Sequence, residues 1–161
     1  MPPTRIYVET SVWSHWFADD APERQEETRA FLRRCQRTGP VVELFVSSLV
    51  VEELSASPPE KAARLLGLVE QYGPSILSPG EGVEQLSTAY ARLGAIPGSK
   101  VSDAFHAAIA TVRGMDALVS WNYRHLVSMV RRQKINAVNA MMGYNKALEI
   151  LAPPEVFADA R

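Results

Sequence analysis

Four oxygen-bearing side chains stand at comparable places in four distant segments of the chain, each close behind an apolar run or at the start of a helical one. They are Glu9, Glu53, Asp103 and Asn122. Carboxylate and amide oxygens, without histidine or cysteine, are the ligands that hard divalent cations prefer. Crowded carboxylates raise one another's pKa, and a cation removes that cost. The residue types therefore predict a site for Mg²⁺ or Mn²⁺ that acts on phosphate groups, provided that the fold brings the four segments together.

The order of the segments predicts such a fold. Apolar, strand-like runs alternate with amphipathic helical ones, which indicates an α/β protein, a three-layer sandwich with a central parallel sheet of about four or five strands. The predicted strands are "RIYV", "ELFVS", "SILS", "ALVSW" and, at an edge, "ALEIL". Functional groups gather beyond the carboxyl ends of parallel strands. Glu9 and Asn122 directly follow two of these strands, so they are expected at one edge of the sheet.

Each candidate also has a purely structural interpretation. An acid at a helix start commonly caps the helix or complements its dipole, at about 0.5–2 kcal/mol, and Asp103 fits that role. Asn122 suits a cap for the helical segment that follows it. Glu9 fits a capping role less well, because glutamate is a poor N-cap and Thr10 or Ser11 would be better ones. Glu9 is therefore the candidate for which chemistry is the stronger explanation.

Two neighbouring residues are left out of the predicted site. Successive helix positions are turned by about 100°, so Glu52 and Glu53 cannot share a face, and the surrounding apolar residues favour Glu53 for the inner one. His106 lies one turn after Asp103 on the same side of the predicted helix. Its position favours a packed residue with a satisfied ring over a contact with substrate or metal.

Charge and composition limit the remaining possibilities. Lys and Arg number 17 against 18 Asp and Glu, so contact with nucleic acid must come from a local patch. Arg124 and Arg131 are seven residues apart, and one helical face would carry both towards phosphates, although a solvated surface helix explains them equally well. A single cysteine, no signal-peptide pattern and no apolar run of membrane-spanning length predict a cytoplasmic protein away from membranes. The length predicts one domain over residues 1–161.

Four segments in this order resemble the PIN-domain fold, and most closely the VapC-type ribonuclease toxins of toxin–antitoxin systems. They are "YVETSV", "SSLVVEEL", "SDAFHAAIA" and "LVSWNYRHL". The resemblance covers nearly the whole chain and implies a PIN-like sandwich with an acidic pocket at one edge. It further implies Mg²⁺- or Mn²⁺-dependent hydrolysis of RNA phosphodiester bonds, leaving a 5′-phosphate and a 3′-hydroxyl. The partners that it implies are RNA and a small antitoxin protein. A second copy of the chain, in a homodimer, is a further expected partner.

The resemblance also assigns roles to the four candidates. It implies that Glu9, Glu53 and Asp103 bind the metal and that Asn122 positions water or substrate. Aspartate is usual in the family at the position of Glu9 and frequent at that of Asn122. The extra methylene of Glu9 carries its carboxylate about 1.5 Å further from the backbone, and Asn122 offers only a neutral oxygen. We therefore predict at most one well-occupied ion in the substrate-free protein, with Asp103 as its main ligand.

The remaining correspondences concern hydroxyl groups. Thr10 and Ser11 match small hydroxyl residues that support the first acid, and Ser120 matches a hydroxyl beside the fourth position. An alternative function is a catalytically weak or inactive PIN-like module that acts as a scaffold for RNA or a protein partner. Loss of metal-dependent RNA cleavage in Asp103→Asn separates an enzyme from such a scaffold.

Overall fold

The structure is a computed structural model that describes residues 2–158; residues 1 and 159–161 of the predicted domain lie outside the described part. Five β-strands run along this part of the chain: β1 (Thr4–Val8), β2 (Val42–Ser47), β3 (Ser75–Leu77), β4 (Ala117–Val119) and β5 (Glu149–Leu151). The α-helices are α1 (Thr10–His15), α2 (Pro22–Arg37), α3 (Ser48–Ser55), α4 (Pro59–Tyr72), α5 (Val83–Arg92), α6 (Val101–Val112) and α7 (Met129–Met141).

The five strands form one parallel sheet in the order β3-β2-β1-β4-β5. In the central strand β1, Ile6, Tyr7 and Val8 are buried, as expected for a parallel strand covered by helices on both faces. Its Tyr7 lies in register with Phe45 of β2 and Leu118 of β4. The predicted α/β fold with a central parallel sheet of four or five strands is confirmed, and so is the edge position of β5.

Short local signals account for most helix boundaries. Pro22 and Pro59 occupy first helical positions, where the missing N–H of proline costs nothing. Gly73 ends α4 in the left-handed conformation at φ 60°, which favours glycine. Ser47 ends β2 and caps α3, because its Oγ accepts the backbone N–H of Val50 at 3.3 Å. The end of β2 therefore leads directly into the start of α3.

One predicted helix is interrupted. The segment after β4 is expected to run as a helix through "YRHLVSMVRRQ", but Tyr123–Val127 form a single wide turn that ends at Ser128. Ser128 has an extended ψ of 150°, and its Oγ accepts the backbone N–H of Arg131 at the start of α7. A capping serine therefore divides the segment into two pieces. Within residues 2–158, no helix is long and apolar enough to cross a membrane.

Candidate active site

Glu9 is buried at the carboxyl end of β1, where it caps α1. Its carboxylate accepts the backbone N–H of Ser11 at 3.0 Å, and the hydroxyls of Ser11 and Ser120 donate to its Oε1 at 2.7 and 2.6 Å. The expectation that Thr10 or Ser11 caps this helix is wrong. Both residues lie inside α1, so they contribute free N–H groups of the first turn, whereas the residue before the helix accepts them.

Glu53 lies on α3 and accepts three hydrogen bonds from side chains of other elements. Thr10 Oγ1 donates to Oε1 at 2.5 Å, His106 Nε2 donates to the same oxygen at 2.6 Å, and Ser102 Oγ donates to Oε2 at 2.5 Å. Thr10 thus supports the second acid and not the first, which corrects the role carried over for it. Its hydroxyl projects from α1 towards α3, while that of Ser11 remains with Glu9.

A chain of hydrogen bonds extends from Glu53 into the core. His106 Nδ1 lies 2.7 Å from the Tyr7 hydroxyl, which lies 2.7 Å from Ser47 Oγ, and all three side chains are almost fully buried. An ionised Glu53 can only accept, so His106 Nε2 must carry a proton. In the neutral ring Nδ1 then accepts from Tyr7, and Tyr7 accepts from Ser47. The chain therefore fixes the tautomer that donates to Glu53.

The pKa values of Glu53 and Tyr7, two members of this chain, move in opposite directions. Burial by itself raises the pKa of Glu53, but the hydrogen bonds from His106, Ser102 and Thr10 outweigh it and lower the pKa to about 2. Burial raises the pKa of the Tyr7 hydroxyl well above its ordinary value. Glu53 is thus an anion at neutral pH, and Tyr7 is a neutral donor.

Asp103 lies in the first turn of α6 and faces Asn122. Burial, followed by the negative charge of Glu9, raises the pKa of Asp103, and a hydrogen bond from Asn122 partly opposes this. Asn122 Oδ1 accepts the backbone N–H of His125 at 3.0 Å, so the structural interpretation of Asn122 as a cap describes what it does. Asp103 itself is not the cap of α6, since Lys100 occupies that position.

The donor set fits a small divalent cation. Within residues 2–158, ligand atoms of Glu9, Glu53 and His106 lie within 4.8 Å of one another, and Asp103 is outside this group. In each glutamate one oxygen accepts two hydrogen bonds and the other accepts one. Since a carboxylate oxygen has two lone pairs, each glutamate retains one lone pair, on Oε2. Each can therefore bind Mg²⁺ or Mn²⁺ through one oxygen, while His106 Nε2 is occupied as a donor.

The two predicted substrate-binding arginines do not share a helical face. Arg124 belongs to the turn before Ser128, and Arg131 belongs to α7. The Arg131 guanidinium donates to the carbonyls of Arg124 and Ala95 at 3.3 and 2.9 Å, whereas the Arg124 side chain is exposed. Because the helix is broken between Arg124 and Arg131, their spacing of seven residues does not place them on one face.

His106, Ser102 and Tyr7 are the residues of the site that the sequence prediction omitted. The expectation of a packed His106 with a satisfied ring describes its environment, but not its hydrogen bond to Glu53. Ser102 and His106 are four residues apart and so lie on one face of α6. Tyr7 precedes Glu9 by two positions in an extended segment and so points to the same side of the sheet. These two spacings are the sequence signals from which the contacts of Ser102, His106 and Tyr7 with the site could have been predicted.

The family model of the PIN domain matches residues 6–126. Three solved structures are similar in fold. Mycobacterium tuberculosis VapC20, described as a Sarcin-Ricin loop cleaving toxin, has a TM-score of 0.54 and 16% identity over 74% of this chain and 92% of its own. Rickettsia felis VapBC2, bound to a promoter DNA fragment, has a TM-score of 0.54 and 15% identity over 91% of this chain and 98% of its own. DNA-bound VapBC from Salmonella typhimurium has a TM-score of 0.52 and 15% identity over 93% of this chain and 98% of its own.

No curated protein sequence matches the chain. At 15–16% identity, the likeness to the solved structures shows a common fold. The family model, in contrast, spans most of the chain and includes Glu9, Glu53, Asp103 and Asn122. The chain belongs to the PIN domain family.

Proposed function

We propose that this protein is a metal-dependent endoribonuclease of the VapC toxin type. The observation that carries the proposal is the pair of glutamates at the carboxyl edge of the sheet, each held by protein donors so that one oxygen lone pair stays available. Asp103 adds a third carboxyl group within electrostatic reach of Glu9. VapC20, which has the same fold, is described as an RNA-loop cleaving toxin, and this supports RNA as the substrate class.

In this proposal Glu9 and Glu53 hold Mg²⁺ or Mn²⁺, and Ser11, Ser120 and Thr10 fix the two carboxylates. A divalent ion, when bound, supplies positive charge against phosphoryl oxygens and acidifies water. A carboxylate with a pKa of about 2 is a poor base at neutral pH, so Glu53 acts as a ligand.

Asp103 is better suited to proton transfer, because its pKa is raised. We assign it the role of orienting the attacking water and accepting its proton, which replaces its predicted role as the main metal ligand. The Asn122 oxygen is already used in a cap, so its amide N–H₂ holds the Asp103 carboxyl group in place. Arg124 remains a candidate phosphate contact, while Arg131 supports the loop that carries Ala95.

The proposal extends to partners and location. VapBC2 and VapBC are complexes bound to DNA, which supports a small antitoxin as a partner of this chain. We also propose a homodimer and a cytoplasmic location. We also propose one domain over 1–161, because β5 lies beyond the family match at 6–126 and yet pairs with β4 inside the same sheet.

The test is cleavage of structured and unstructured RNAs in Mg²⁺ or Mn²⁺, with EDTA as the metal-free arm. Asp103→Asn should lower the cleavage rate by about 100-fold or more, as expected for loss of a general base. Asp116→Asn is the matched control. Asp116 is also a hydrogen-bonded acid, but it lies at the amino end of β4, where it contacts Arg5 and Lys146. RNA that binds and stays intact in both metals would favour the scaffold alternative.

A further inference from the structure

Tyr123 is the one Phe, Tyr or Trp side chain among residues 2–158 that is exposed, at 42% of its surface. The other aromatic rings of the described chain are buried or partly covered. Tyr123 directly follows Asn122, whose amide contacts Asp103. The backbone of Tyr123 therefore adjoins the acidic site, and the charges that act on its hydroxyl come from Glu155, Arg24, Glu27 and Arg132.

Arg24 of α2 reaches across to this ring. Its guanidinium carbon lies 5.7 Å from the centroid of the Tyr123 ring and 5.0 Å from that of Trp121. Trp121 is buried and anchored, because its Nε1 donates to Thr28 Oγ1 at 2.8 Å. The guanidinium and the exposed ring thus rest on a fixed inner ring, and their positions are set by the core.

The charge of Arg24 is not neutralised by an ion pair. No carboxylate oxygen of residues 2–158 lies within 4.0 Å of its guanidinium, and the two rings are its recorded contacts. Two further exposed cations, Lys100 and Arg124, act on His125 beside Asp103. Cations of several elements therefore lie in this region, where they could contact RNA phosphates, and Glu27 and Glu155 are the acids that act on Tyr123 there.

We propose that Tyr123 and Arg24 form a stacking subsite for an unpaired nucleobase of the RNA, next to the bond that is cleaved. Proteins read unstacked RNA bases on tyrosine rings and arginine planes, because every base offers a π-face. A base inside a duplex is already stacked on both sides and cannot enter. The subsite therefore selects single-stranded or loop nucleotides, and it selects them by their exposure and not by their identity. This inference rests on the proposed ribonuclease function.

The experiment measures binding separately from cleavage. The Asp103→Asn protein is mixed with an RNA hairpin that carries 2-aminopurine in its loop, and with a fully paired duplex of the same length. We expect stacking to quench the loop fluorophore and the hairpin to bind more tightly than the duplex. Adding Tyr123→Leu should abolish the quench and weaken hairpin binding about 5- to 100-fold, while Tyr123→Phe should stay within about twofold because the ring is kept.

Arg24→Gln should weaken hairpin binding by about fivefold. The control is Arg33→Gln, since Arg33 makes the same kind of contact over Trp16 and should leave binding unchanged. Tyr123 is exposed, so Tyr123→Leu should retain the wild-type unfolding temperature, which thermal unfolding checks. Hairpin binding unaltered by Tyr123→Leu, or a duplex bound as tightly as the hairpin, would overturn the subsite.

The two proposals can fail independently. A Tyr123-dependent quench with no RNA cleaved by the otherwise unmodified protein refutes the ribonuclease and supports the subsite. Cleavage and hairpin binding that are the same in Tyr123→Leu as in the unmodified protein refute the subsite and leave the ribonuclease standing. A Tyr123→Leu variant that loses only its affinity for a protein partner likewise counts against an RNA subsite.

Discussion

Removal of the Tyr7 hydroxyl tests whether the buried chain of hydrogen bonds holds Glu53 in place. Tyr7→Phe keeps the ring, and hence the packing of the central strand, but deletes an oxygen that lies 2.7 Å from both His106 Nδ1 and Ser47 Oγ. His106 Nδ1 loses the donor that it has within residues 2–158, and the buried Ser47 hydroxyl loses its acceptor and keeps only the bond that it accepts from the N–H of Val50. An unsatisfied buried polar group costs about 1–3 kcal/mol, so we expect a loss of about 2 kcal/mol.

For a chain of this length, about 2 kcal/mol lowers the unfolding temperature by roughly 4–8 °C. Without Tyr7 as donor, the His106 ring is no longer held in the tautomer that donates to Glu53. Loss of such an outer partner typically costs about 10- to 100-fold in metal affinity or activity. We therefore expect both a lower free energy of unfolding in urea and a slower cleavage of RNA per folded molecule.

Tyr90→Phe is the matched control. Tyr90 is equally buried, and its hydroxyl donates to Asn139 Oδ1 at 2.5 Å, but it lies on α5 among residues that do not touch the acids. It should lose comparable stability and keep its cleavage rate. The reasoning is refuted if Tyr7→Phe unfolds at the wild-type urea concentration, or if it is destabilised but cleaves RNA as fast as Tyr90→Phe.

Three further predictions concern charge and backbone. The folded-state pKa of Glu53, about 2, lies below its ordinary value of 4.5. Ionised Glu53 therefore stabilises the folded protein above pH 4.5, and this stabilisation is lost as the pH falls through 2. Urea unfolding of the wild type and of Glu53→Gln between pH 2 and 7 measures the difference. The pKa of Asp103 is raised by burial and by Glu9, so the ionised form of Asp103 destabilises the folded protein. Asp103→Asn should therefore raise the unfolding temperature in EDTA, but added Mn²⁺ should raise the unfolding temperature of this variant less than that of the wild type. Gly82→Ala should lower the free energy of unfolding by about 1–2 kcal/mol or more, because Gly82 has φ 92° and a Cβ would lie 2.6 Å from the Tyr144 hydroxyl oxygen; Gly67→Ala, which meets nothing within 4 Å, is its control.

The succession of strands and helices was predictable because its signals are local. Apolar runs marked the strands, and Pro22, a residue suited to a first helical position, stands at the start of the observed helix Pro22–Arg37. The interruption at Ser128 was not predictable in this way. A serine is tolerated inside a helix, and only the packing of the segments on either side gives it the extended conformation in which it caps α7.

The sequence by itself determined that Glu9 and Asn122 lie at one edge of the sheet, since residues that follow parallel strands meet there. It did not determine how each carboxyl group is used. Ser120 donates to Glu9 across 111 positions of the chain, and His106 donates to Glu53 across 53. A hydrogen bond requires its two atoms to lie within about 3 Å, and that distance depends on how α1, α3 and α6 pack against the sheet. For this reason the acids could be predicted from the sequence, whereas the capping role of Glu9, the donor role of His106 and the role that we propose for Asp103 required the tertiary structure.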